Sequence, residues 1–283
     1  MFGNKQVAIV NVEANTRFSL RSPIFRDRRF ELMPIPTGRL AGKNGYERWI
    51  DKIESWPTYE DLRSYYDKRE HLKKYLPSNN RVKWLKQRMH NDPQLDPTSG
   101  CLNYGDYYYP KGKEKYTRAA NLWKLGSDDF ILFLAHLWDW VDSDFEGDGR
   151  FYLIGLIEIK EYMNLDRPDE RRLKCCKENP HVLEWLNRKV DPPAASLMDF
   201  ANHRVFMGTE NSHRFEKAVP FDWKIAVRVL RDSKGRKLAR NGGTELSRIG
   251  SYTRAVRLIE GEDADERKKI LWKHIRKNSG KLA

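Results

Sequence analysis

Phe130-Ile-Leu-Phe-Leu-Ala135 and Phe151-Tyr-Leu-Ile-Gly-Leu-Ile-Glu-Ile159 are the two stretches on which the fold turns. Both are continuously apolar rather than alternating, the pattern of strands covered on both faces. Between them runs Trp138-Asp-Trp-Val-Asp-Ser-Asp-Phe-Glu-Gly-Asp-Gly149, acidic and glycine-terminated, which suits an antiparallel hairpin with a long loop. Both runs are strand-sized with acidic residues on either side, too short to cross a bilayer.

On the N-terminal side, Gln6 to Val12 is a compact β-branched run and reads as a buried strand. The Arg-rich segment Arg17 to Arg29 is too irregular for a helix and leads into Phe30 to Pro36, a second strand that Pro34 and Pro36 would end at a sheet edge. Thr58 to Tyr75 reads as a helix opened by a capping box in which Asp61 replaces Glu, and Arg81 to Met89 as a shorter one. Asn91 to Gly105, rich in Asp, Pro and Gly, reads as a loop.

Beyond the central pair, Val205 to Met207 and Glu216 to Val219 read as short strands around a turn. From Trp223 the pattern is helical: Leu246, Ile249, Tyr252 and Val256 share one face, and Ile270, Trp272 and Ile275 lie on a last basic helix. No repeat, heptad array or linker divides the chain. The expected class is α+β, with a core domain over residues 1-222 and a basic helical C-terminal extension over 223-283 packed on it.

Lys plus Arg number 53 against 40 Asp plus Glu, a formal charge of +13. With 33% charged residues the mean hydropathy is −0.80, yet nine Trp, thirteen Tyr and twelve Phe supply the apolar area that disordered chains lack. The positive balance favours a polyanion as partner, because each phosphate contact releases condensed counterions. The N-terminus lacks the pattern of a signal peptide, so a soluble, cytoplasmic protein with no membrane association is expected. Cys101, Cys175 and Cys176 have neither a disulfide framework nor zinc-ligand spacing.

Five clusters could carry chemistry. Arg17, Arg21, Arg26, Arg28 and Arg29 interleave with Phe18, Phe25 and Phe30, so guanidinium groups could pair with phosphates beside rings that stack on bases or anchor the loop to the core. Asn103-Tyr-Gly-Asp-Tyr-Tyr-Tyr109 places tyrosines and a carboxylate around a turn, the groups a base reader needs and also those of a hairpin held on the core by its aromatics. Ser247 to Arg254, after Thr244 as N-cap, offers Arg248, Arg254 and Arg257 as a basic helix face. His181, His203 and His213 lack metal-ligand spacing, so they could hold a metal only if the fold assembles them, and no metal is expected. Asp148, Glu158 and Lys160 have the layout of restriction-type nucleases, in which two carboxylates hold Mg or Mn and the lysine orients the attacking water. A polar strand end produces the same short pattern. No Walker A, Rossmann, GxSxG or kinase signature occurs.

Taken in order, Val10-Asn-Val12, Ser22-Pro-Ile-Phe-Arg-Asp-Arg-Arg-Phe-Glu31, Pro34-Ile-Pro36, Thr58-Tyr-Glu-Asp-Leu62, Asn103-Tyr-Gly-Asp106, the central strand pair, Asn179-Pro-His181 and Ser212-His-Arg-Phe-Glu-Lys-Ala-Val-Pro220 resemble the third type of nucleotide-modification-associated domain. The match in order and spacing spans roughly residues 5 to 260. Leu125 to Ala135 with Phe151 to Glu158 is also similar to the PUA-like barrel group, departing at Gly126-Ser-Asp-Asp129 where Gly-Asp would stand. These resemblances imply a central partly closed β-sheet with flanking helices, and a nucleic-acid-binding protein of a DNA base-modification or defence system. It would recognise a modified or flipped base, bind DNA rather than RNA, and act beside a base-modifying enzyme. The expected contacts are Arg17, Arg21, Arg26, Arg28, Arg29, Tyr104, Asp106, His181, Arg214, Arg248 and Arg254, with no cofactor. Two alternatives stand beside this: a metal-dependent nuclease using Asp148, Glu158 and Lys160, and a PUA-like RNA-binding protein.

Overall fold

The computed structural model describes residues 4–12, 20–36, 56–79, 81–96, 100–108, 119–189, 200–232, 235–239 and 242–280. Its centre is a hairpin of β6 (Phe130–Val141) and β7 (Asp144–Asn164), antiparallel from the Phe130–Glu158 pair to the Val141–Asp144 pair. The loop expected over 138–149 is strand almost throughout, closed by Asp142 and Ser143 alone, both at positive φ (47° and 71°). Two such residues form the tight turn whose twist matches that of paired strands. The alternation of Trp138, Asp139 and Trp140 is the strand signal hidden in this acidic stretch.

Outside β6 lie two parallel neighbours, β1 (Val7–Asn11) along its first half and β2 (Ser22–Ile24) along its second. Thus the Arg-rich segment contributes a strand. Outside β7 lie β9 (His213–Pro220), beside Tyr152 to Leu156, and β8 (His203–Gly208), beside Ile159 to Asn164. Antiparallel β5 (Asn103–Tyr107) follows β8, and β10 (Arg257–Leu258) pairs with β1 at the opposite end. The strand order is β10-β1-β6-β7-β8-β5, and among the described residues no pairing joins the two ends. The sheet is open, so the expected partly closed barrel is corrected to a large mixed sheet.

Two apolar layers take the place of a barrel interior. Phe130, Leu132 and Leu134 point to one face of β6; Ile131, Phe133, Ala135 and Leu137 point to the other. The first face is covered by α4 (Trp223–Val229), α5 (Glu245–Thr253) and α6 (Ala264–Asn278), through Ile225, Val229, Ile249, Leu271 and Ile275. The second is covered by Phe30, Leu95, Tyr104, Leu122 and Leu125. Each fully buried Leu or Phe contributes roughly 1.5–3 kcal/mol, which explains why residues 130–135 and 151–157 are apolar throughout. Helices α4, α5 and α6 therefore form one cover of the sheet, and β10 follows α5 in the chain.

Three further helices are short: α1 (Arg81–Leu85), α2 (Glu170–Cys175) and α3 (Pro180–Leu186). Among the described residues none of the six helices is long and apolar enough to cross a membrane. The helix expected over Thr58 to Tyr75 is replaced by single 3-10 turns at Tyr59–Asp61 and Leu72–Tyr75. Its capping contact forms, Thr58 N–H to Asp61 at 2.9 Å. Ser64 then diverts the chain: its hydroxyl donates to Glu31 and accepts from the Tyr66 and Asp67 amides. Such side-chain bonds compete with helical ones. Of the strand expected over Phe30 to Pro36, only β3 (Ile35–Pro36) forms, pairing with β4 (Met89–His90).

Candidate nucleic-acid interface and a buried histidine cluster

The far end of the β6–β7 hairpin carries a groove of about 630 Å³, lined among others by Trp138, Trp140, Phe145 and Tyr75 with Arg21, Lys74 and Arg81. Among the described residues Asp144 is the one carboxylate in the lining, and of the three cations Lys74 is already paired with Glu70. The guanidinium of Arg21 lies 6.0 Å from the Trp138 ring and 5.8 Å from that of Phe145, and Lys74 lies 5.1 Å from Tyr75. Trp140 sits edge-on to both Tyr75 and Phe145, each at 4.7 Å between centroids. Parallel pairing of β2 with β6 brings Arg21 here, and the Leu72–Tyr75 turn delivers Lys74 and Tyr75. Chemically the groove offers flat apolar rings beside cations, which suits an aromatic anion.

A second groove, about 440 Å³, is lined by Arg26, Arg28 and Arg150 but also by Asp139, Asp222 and Glu245. Its charges balance, and Arg150 is already paired with Asp139 at 2.8 Å. Of the expected arginines, Arg17 lies outside the described residues. Arg21, Arg26, Arg29 and Arg254 are exposed, although Arg29 bonds Asp27 at 2.6 Å. Arg28 donates weakly to the Ala218 carbonyl and to Asn278. Arg248 lies 5.2 Å from the Trp223 ring. Arg214 points inward: its side chain is 7% exposed, beside Glu31 at 3.7 Å and against the rings of Phe30 and Tyr65.

Tyr104, Asp106 and His181 are brought together, but beneath the surface. Residues 103–107 form strand β5 rather than a turn. Tyr104 packs against Phe133, 5.2 Å between centroids, and donates its hydroxyl proton to Asp106 at 2.6 Å. Its ring is a core group. Gly105 passes so close to α3 that a Cβ there would sit 2.4 Å from the His181 ring. Asn179 caps α3 by accepting from the His181 amide and donates its own amide to Asn103 and Asp92. His181 then stands among His90, Tyr107 and His203, with centroids 5.2, 6.5 and 5.3 Å away.

Two carboxyl groups complete this cluster. Asp92 accepts from the Gly105 amide at 3.1 Å and faces His181 Nε2 at 3.7 Å; Glu184 faces His181 Nδ1 at 3.6 Å. Burial, aided by Asp106, pushes the Asp92 carboxyl well up. Burial pushes Glu184 up to about 8 and holds the His181 imidazole well below its usual value. Glu184 escaped the sequence reading although His181-x-x-Glu184 puts both on one helix face. His213 is elsewhere, on β9 beside the Asn211 carbonyl. The thiols of Cys101, Cys175 and Cys176 also converge within 4.8 Å, which their spacing did not reveal.

The nuclease set is not brought together. Asp148 and Glu158 share strand β7, about ten residues or roughly 33 Å apart at the usual rise. Glu158 instead accepts from Thr209 at 2.9 Å and Asn211 at 2.7 Å and lies 3.5 Å from Lys5, while Lys160 is exposed. Trp138 and Trp140, which line the groove, lie in the stretch whose turn chemistry suggests a loop, and so the sequence does not mark them as site residues.

The family model described as nucleotide modification associated domain 3 matches residues 7–251, which covers most of the chain. No curated protein and no solved structure matches it.

Proposed function

The chain belongs to the nucleotide modification associated domain 3 family, and on that premise we propose that it binds DNA as the recognition part of a nucleotide-modification system. The hairpin groove carries this reading, because Trp138, Trp140 and Phe145 lie beside Arg21, Lys74 and Arg81. An extruded base, modified or not, stacks on Trp138 while the cations hold the flanking phosphates. The charge of +13 adds attraction at longer range. A base-modifying enzyme fits as the partner that acts on what this groove holds. The RNA-binding alternative rests on the charge and on a partly closed PUA-like centre, and with an open sheet it keeps only the charge. The nuclease alternative loses its support with the separation of Asp148 from Glu158.

The test is affinity against salt, read by anisotropy with labelled single-stranded and duplex DNA, modified and unmodified, and with RNA. Counterion release makes log affinity fall with log salt by about 0.9 per phosphate neutralised on a duplex. A slope of several is expected for DNA, smaller by about one in Arg21→Ala. A flat slope, or equal affinity for RNA, overturns the reading.

A further inference from the structure

We propose that His181, Glu184 and His203 form a binding site for a divalent transition-metal ion, coordinated by two imidazoles and one carboxylate. Helix α3 supplies the first two residues from one face, and the start of β8 supplies the third. Their donor atoms all lie within 4.8 Å of one another. In a tetrahedral site with metal–nitrogen bonds of about 2.0–2.1 Å, donor atoms stand about 3.4 Å apart. The His181 Nδ1 to Glu184 Oε2 separation of 3.6 Å is already close to that.

A second observation points to a ligand. His181 is 5% exposed, and its Nδ1 has no hydrogen-bond partner in this interior. A buried acceptor left without a donor costs about 1–3 kcal/mol, which a bound cation would remove. The other ring nitrogen faces Asp92, itself fixed by the Gly105 amide and by Asn179. A carboxylate behind the second nitrogen is the usual way a ligating imidazole is oriented. Two imidazoles and one carboxylate are the ligand set shared by zinc and by non-haem iron(II), and both leave positions for a non-protein ligand.

The full chain, stripped with a chelator, is titrated with Zn²⁺ and, anaerobically, with Fe²⁺, and the retained metal is counted by mass spectrometry. About one ion per chain is expected, and the arm that retains it identifies the metal. Glu184→Gln and His203→Gln should each weaken binding at least about ten-fold, and Asp92→Asn by about 10–100-fold. Cys175→Ser should leave binding intact, which separates this site from the thiol cluster. Circular dichroism confirms that each variant folds. If one does not, Co²⁺ in the unaltered chain gives an independent readout: ligand-field bands without a thiolate charge-transfer band. Failure to retain either metal, a thiolate band, or binding lost in Cys175→Ser but kept in folded His203→Gln overturns the proposal. None of these outcomes depends on DNA binding.

Discussion

The imidazole of His136 lies 3.8 Å, centroid to centroid, from the ring of Trp138. A buried base, 4% exposed, is thus in contact with a lining ring of the groove. Its Nε2–H donates to the Asp148 carbonyl across the hairpin at 2.9 Å. Burial holds the imidazole below its usual value. In the unfolded chain the same group titrates near its ordinary value of about 6.5.

Stability should therefore fall on acidification. With its folded value depressed, His136 binds fewer protons folded than unfolded, so its contribution is present above about pH 6.5 and is lost as pH drops through the folded value. Denaturant midpoints measured between neutral pH and about pH 5 should decline, and His136→Gln should decline less. An unchanged slope in that variant assigns the effect to another group.

Trp138 and Trp140, which line the same groove, should separate under mutation. Trp140 packs on Phe145 across the hairpin and joins the hairpin to Tyr75, so Trp140→Ala should lower stability by about 1–3 kcal/mol, less than the roughly 3–5 of a fully buried tryptophan. Trp138 packs on His136 but also meets Arg21 and the groove, so Trp138→Ala should lower stability by less than Trp140→Ala and weaken single-stranded DNA binding by about 1–3 kcal/mol. Thermal melts and anisotropy on the same preparations check both.

Tyr104→Ala should destabilise by about 3–5 kcal/mol with no selective binding defect in the molecules that remain folded. The ring is 4% exposed and packs on Phe133. Tyr104→Phe removes only the hydroxyl bond to Asp106 and should cost about 1 kcal/mol. Equilibrium unfolding of the two variants decides between a core ring and a stacking platform.

How much of this was legible follows from range along the chain. The β6–β7 pair, the buried strand at Val7, the Thr244 cap and the helical C-terminal segment depend on local period and local chemistry, and the sequence carries those signals. The groove instead draws on Arg21, Tyr75 and Trp138, which meet only because β2 runs parallel to β6 and the Leu72–Tyr75 turn docks on the hairpin. Parallel pairing leaves no turn signature. His181 and His203 lie on separate elements and meet through the packing of α3 on β5 and β8. The helix expected over Thr58 to Tyr75 failed because Glu31, remote in sequence, offers Ser64 and the Tyr65 amide better partners than a helix would.

Arg214 tests the line between a phosphate contact and an interior brace. The sequence places it among the nucleic-acid contacts, but its guanidinium is sandwiched between the Phe30 and Tyr65 rings, 4.2 and 4.0 Å away, donates to the Phe30 carbonyl and faces Glu31. Removing one partner of a buried pair strands the other charge, at about 3–5 kcal/mol. Glu31 keeps its bonds from Ser64 and the Tyr65 amide, so Arg214→Ala should cost close to 3 kcal/mol, the low end. Arg214→Lys should recover little, because an ammonium cannot lie flat between two rings. The double variant Arg214→Met with Glu31→Gln removes both charges together, keeps an acceptor for the Ser64 hydroxyl and the Tyr65 amide, and should regain most of the loss. Denaturant unfolding measures all three. If Arg214→Ala melts like the unaltered protein and instead loses DNA affinity with a salt slope smaller by about one, the side chain turns outward to bind phosphate, and the brace is wrong.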